Sequence, residues 1–188
     1  MRYHLTLIEI LYNPASYCDK TWLTLSDAPA KNISILPAYM QNHLLLKHPS
    51  PEVFCETDVK NKAVVDLFIN HWHHVQSAAW LIGLKMFSST LLQQPLWMKK
   101  LSRQERGFLC LPIVNSLPAV ALKSTELTHD DITQSGASFI YSIAQLSLPA
   151  ILVARLKMIF PTDFNYATVP IQNVSSSLSA LKWAFDYA

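Results

Sequence analysis

His71, His73 and His74 are the residues whose type and spacing come closest to metal chemistry. On a helix His71 and His74 would share a face, three positions apart, and could both point at one ion. A zinc site needs three or four ligands. His43, His48 and Cys55, the candidates for the rest, lie in distant segments. The histidines flank Trp72, so the pattern reads as a polar edge beside a buried aromatic, with a pH-sensitive contact as the other use of such a group. No metal is expected.

Other chemistry has less support still. Cys18, Cys55 and Cys110 carry no activating local motif. Gly136-Ala137-Ser138 lacks the second glycine of a nucleophile elbow. Asp130 and Asp131 stand at an expected helix start, where acids complement the dipole. Only three glycines occur, Gly83, Gly107 and Gly136. A phosphate-cradling loop or a dinucleotide fingerprint needs several within a few residues. The expectation is a non-enzyme with no catalytic residue and no cofactor.

Composition points the same way. The 188 residues suit one domain. The charged fraction is 15% beside a hydrophobic fraction of 51%, so few charges must cover a large surface and apolar surface should remain for partners. Net charge is +2, from 15 basic and 13 acidic residues, which excludes the strong basic excess of a nucleic-acid binder. An odd count of three widely spaced cysteines argues against a disulfide framework and fits a reducing cytoplasm. His4, Thr6 and Glu9 interrupt the first apolar stretch, so no signal peptide is expected. Residues 136–160 could mimic a membrane span, but they contain Gln145, Pro149, Arg155 and Lys157. Their longest apolar run, residues 148–154, falls far short of the roughly 20 residues a span needs. A buried helix pair is expected there, without direct membrane insertion.

The positioning elements are helical. Val65, Phe68, Trp72, Val75, Ala79, Ile82 and Met86 alternate three and four apart, which places all seven on one helix face. Val64, Leu67, Ile69, Trp80, Leu81 and Leu84 make the other side partly apolar as well. This is the central helix of the fold, or a helix pair breaking near His74, opened by Thr57 as cap with Asp58 behind it. Residues 2–12 read as a short strand or the run-in to a helix. Further helices are expected over residues 37–47, 90–98 with an interruption at Pro95, 130–146, from Pro149 to before Pro161, and 176–187. Ser102 with Glu105, and Thr128 with Asp131, have capping-box spacing. Residues 26–34 and 48–56 read as loops. The predicted fold class is all-α, an irregular single-domain helical bundle, with 1–56, 57–112 and 113–188 as its parts. Trp72 and Trp80 are expected in the core, with Trp22, Trp97 and Trp183 near element ends. Trp97 with Lys99, Lys100, Arg103 and Arg106 forms the candidate partner-binding patch, the densest basic stretch of the chain.

Three stretches together resemble a known family. Ile10-Leu11-Tyr12-Asn13-Pro14-Ala15-Ser16-Tyr17, followed by Trp22-Leu23, is similar to the N-terminal signature of the SctK proteins of bacterial type III secretion. Trp72-His73-His74-Val75 with Ala78-Ala79-Trp80-Leu81-Ile82-Gly83 resembles the central tryptophan and glycine-ended apolar run of the OrgA and MxiK members. Gly136-Ala137-Ser138-Phe139, Arg155-Leu156-Lys157 and Phe160-Pro161 resemble the C-terminal region of the YscK branch. The opening His4-Leu5-Thr6-Leu7-Ile8-Glu9 is similar to the attaching-and-effacing branch, EscK. His73-His74 departs from the related members. The resemblance implies a cytoplasmic adaptor of the sorting platform that links the cytoplasmic domain of the inner-membrane ring protein (SctD) to the pod protein (SctQ), and so to the ATPase complex, and is required for secretion. It carries over no catalytic residue. The rival reading is a secretion chaperone for one exported client. Such chaperones are small acidic α/β folds, which a pI near 8.4 and the weak strand signal argue against.

Overall fold

A computed structural model describes residues 2–24, 33–47, 61–112, 117–118 and 127–188. The described residues form ten α-helices and several 3-10 turns, with no strand. The all-α class therefore holds. The helices gather into two compact units, each discontinuous in sequence: residues 1–73 with 144–164, and residues 74–143 with 165–188.

The first unit opens with α1 (Arg2–Tyr12), so this stretch is a helix of its own and not a strand. A 3-10 turn, Pro14–Ser16, places proline in its first turn, where the missing N–H is harmless. A second, Lys20–Leu23, is capped by Asp19, whose carboxylate accepts from the Thr21 amide. α2 (Ala38–Leu46) follows Pro37. α3 (Lys62–Asn70) begins where the Asn61 side chain accepts from the Val64 amide at 3.4 Å. Thr57 and Asp58, the expected cap, lie outside the described residues, as do residues 48–56 and most of the 26–34 stretch. α1 packs on α3 and on α9 (Ala150–Lys157), and α2 packs on the Pro14 turn. Ile10, Val65, Phe68, Ile69, Trp72, Leu152 and Leu156 fill the core of this unit.

The expected central element is a helix pair. α3 ends at Asn70, a 3-10 turn spans Trp72–His74, and α4 (Val75–Met86) continues. Asn, His and Trp are middling helix formers, and five of them in a row weaken helix continuity here. Every residue of the seven-membered seam is nonetheless buried.

In the second unit α4 is surrounded. It packs on α5 (Ser88–Leu92), α7 (Arg103–Cys110) and α10 (Val174–Tyr187). α6 (Pro95–Lys100) packs on α5 and starts at the proline that separates them. α7 carries the expected capping box, with Ser102 and Glu105 each bonding the other's backbone. α8 (His129–Ser147) starts from the second box: Thr128 donates to Asp131 Oδ2 at 2.6 Å, and the Asp131 amide donates back at 3.1 Å. The α4–α8 crossing is unusually close. A Cβ added at Gly83 would stand 1.9 Å from the Ile132 carbonyl oxygen, and one at Gly136 would stand 1.8 Å from that of Ala79. Only glycine lets two helix backbones meet this way.

Candidate functional site

The second unit contains an open cleft of about 740 Å³, within the range of small-ligand and peptide sites. Its floor comes from α4, through Trp80 and Leu81. α6 contributes Trp97 and Lys100, α7 contributes Gln104 and Glu105, α8 contributes His129, and α10 contributes Tyr187. α4, α7 and α10 are anchored by their buried residues. Phe108, for example, is fully buried on α7 and meets the Tyr187 ring edge-on at 5.6 Å.

Trp80 organises this cleft. Its ring stacks on His129, with centroids 4.2 Å apart and planes 18° apart. Its indole N–H donates to Glu105 Oε1 at 2.5 Å. The Ser102 amide donates to the other oxygen, Oε2, at 2.6 Å. Burial pushes the Glu105 pKa up, but the hydrogen bonds from Ser102 and Trp80 outweigh it and hold the carboxyl below its ordinary value. One carboxylate thus caps α7 and fixes the tryptophan. Trp80 was expected in the core; the structure leaves it half-buried because its indole edge belongs to the cleft.

Lys85 braces the wall behind. It is buried, and its ammonium donates to the carbonyl oxygens of Leu109 and of Leu111, the latter at 2.6 Å. These belong to the C-terminal end of α7, where a cation meets the negative end of the dipole. Burial lowers its pKa, and the neighbouring Cys110 partly counters that.

The structure divides the patch expected from sequence. Trp97 and Lys100 line the cleft, and the Lys100 ammonium sits over the Trp97 ring, 5.5 Å from its centroid. Lys99, Arg103 and Arg106 are exposed but do not line it. Glu105 is the only acid between Ser88 and Arg106, and both its oxygens are engaged. Sequence reasoning placed neither His129 nor Tyr187 here, since nothing local connects them to Trp80.

The histidine group is split between elements. His71 and His74 lie at a helix end and in a 3-10 turn, not on one regular helix face. His73 Nε2 lies 3.3 Å from Glu9 Oε2. No group of three or more His, Cys, Asp or Glu among the described residues could hold a metal ion. His48 and Cys55 lie outside the described residues. Among the described residues no helix is long and apolar enough to cross a membrane; the 136–160 region is instead α8 and α9, joined at Pro149.

No curated protein and no solved structure matches this chain. The resemblance drawn from the N-terminal, central and C-terminal motifs does have an independent counterpart. The family model OrgA_MxiK, described as a bacterial type III secretion apparatus protein, matches residues 7–188, and the chain belongs to that family.

Proposed function

We propose that this chain is a non-enzymatic adaptor of the type III secretion sorting platform. It acts at the cytoplasmic face of the inner membrane, linking the ring protein SctD to the pod protein SctQ and so to the ATPase complex. One observation carries this reading: each compact unit presents its own exposed apolar surface. In the first unit Leu5, Ile8 and Tyr12 recur along α1 and are all exposed. In the second the aromatic cleft opens beside Lys99, Lys100, Arg103 and Arg106. A bridge needs two such surfaces, and large exposed apolar groups mark contact sites. These exposed basic residues suit an acidic face on one partner.

The test is co-purification of the tagged chain from a secreting bacterium, scored for the ring protein's cytoplasmic domain and for the pod protein. Recovery of both is expected. Lys99→Glu/Lys100→Glu/Arg103→Glu should lose one partner and keep the other while the protein stays folded. Normal binding of both by the folded triple variant refutes the patch. Recovery of a single exported client refutes the adaptor.

A further inference from the structure

In the first unit a buried cation stands without a counter-ion among the described residues. Arg155, in the last turn of α9, is 5% exposed. Its Nη1 reaches only the Met158 sulfur, at 3.8 Å, and its Nε has no acceptor. The two ion pairs among the described residues, His73–Glu9 and His129–Asp130, do not involve it. Tyr17 lies beside it but cannot compensate the charge. Its hydroxyl donates to the Ile10 carbonyl at 2.7 Å, and burial pushes the phenol pKa far above its ordinary value, so the ring stays neutral. Tyr17 also meets Trp72, edge-on at 5.6 Å; Trp72 is 1% exposed and its indole N–H likewise lacks an acceptor. The first unit thus holds two buried donors without acceptors, Arg155 Nε and Trp72 Nε1.

Residues 17–22 cover this end of α9 as a strap. The Asp19 amide donates to the Met158 carbonyl at 2.8 Å, the Trp22 indole to the Phe160 carbonyl at 2.8 Å, and the Thr162 amide to the Thr21 hydroxyl at 3.0 Å. These bonds can reform with water if the strap lifts.

An unpaired buried charge is destabilising, and so is a buried donor left unmade. A buried guanidinium left in this state gains when an acceptor enters. One guanidinium balances one negative charge, so the matched ligand is a monoanion; a dianion would leave net charge buried. The planar fork of arginine fits the two oxygens of a carboxylate. We propose that Arg155, beneath the strap that carries Tyr17, is a carboxylate-receiving site that takes an Asp or Glu side chain of a protein partner.

The test compares the full chain with Arg155→Met and Arg155→Lys by thermal melting in sodium chloride and in sodium formate at equal ionic strength. Formate stands in for the side-chain carboxylate. The wild type should melt higher in formate, with a saturable dependence. Arg155→Met keeps the volume and removes the charge. It should melt at least about 2 °C above the wild type in chloride and show no formate dependence. Arg155→Lys should respond less than the wild type, because it lacks the fork. Equal formate shifts in wild type and Arg155→Met, or a lower melting point for Arg155→Met in chloride, overturn the site. Purified ring domain and pod protein then test the source of the carboxylate. Arg155→Met should bind one of them at least about tenfold more weakly despite melting higher. A formate response with unchanged partner binding overturns the partner-borne carboxylate. The melts do not depend on the adaptor reading, so the two ideas fail separately.

Discussion

Gly83, Gly107 and Gly136 are all helical, and the usual effect of replacing a helical glycine by alanine is stabilisation by about 1 kcal/mol. The structure predicts that this sign reverses at two of the three. At Gly136 the new methyl would lie 1.8 Å from the Ala79 carbonyl oxygen and 2.8 Å from the Gly83 nitrogen. Carbon and oxygen settle no closer than about 3.3 Å, so α4 and α8 must separate by about 1.5 Å along that line. The obstructing atoms are backbone, which cannot rotate away. Overpacking of this kind costs up to about 3 kcal/mol or more; set against the propensity gain, Gly136→Ala should lose about 2 kcal/mol or more. For a chain of this size that lowers the melting midpoint by roughly 4–8 °C. Gly83→Ala, 1.9 Å from the Ile132 carbonyl oxygen, should behave alike. Gly107 is the internal control. Its added Cβ would meet only Tyr187 Cε1 at 3.8 Å, an ordinary contact, so Gly107→Ala should melt about 2 °C higher. The double variant should lose less than the sum, because one separation of the helices relieves both clashes. Thermal unfolding followed by far-UV circular dichroism reads all four variants against the wild type. A Gly136→Ala midpoint at or above wild type refutes the close crossing.

Three further outcomes follow from the packing. Trp72→Ala should destabilise by about 3–5 kcal/mol in urea titrations because the ring is wholly buried; a loss below about 1 kcal/mol would show that the ring is not tightly packed. Lys85→Met should cost about 2 kcal/mol by leaving the Leu109 and Leu111 carbonyls without their shared donor, and an unchanged urea midpoint would remove that brace. Glu105 has its folded pKa below the ordinary 4.5, so its contribution is present above that pH and is lost as pH falls through the folded value. The stability difference between wild type and Glu105→Gln should therefore shrink below about pH 4.5; parallel curves down to about pH 3 would contradict the hydrogen bonding assigned to this carboxylate.

Much of the local architecture was legible in the residues. The seam from Val65 to Met86 is buried at every position, because an apolar period of three and four has one geometric solution. Both capping boxes formed, since the spacing of Ser102 to Glu105 and of Thr128 to Asp131 is itself the geometry of a first helical turn. The break after Asn70 was only half legible: weak helix formers mark the place, but tertiary packing decides whether a turn tightens there. Trp80 was misjudged because periodicity reports which face is apolar and not how far a large ring extends past its neighbours.

By itself, then, the chain determined the all-α class, most helix starts and its membership of a secretion apparatus family, properties that reside in neighbours a few positions apart or in the order of short motifs. Tertiary structure alone decided the rest. It brought Trp80, Glu105, His129 and Tyr187 from four helices into one cleft. It made Gly83 and Gly136 meet backbone to backbone, and among the described residues it left Arg155 buried without an ion-pair partner. These pairings join positions far apart in the chain. They arise when whole helix faces pack together, and no local period or propensity carries that information.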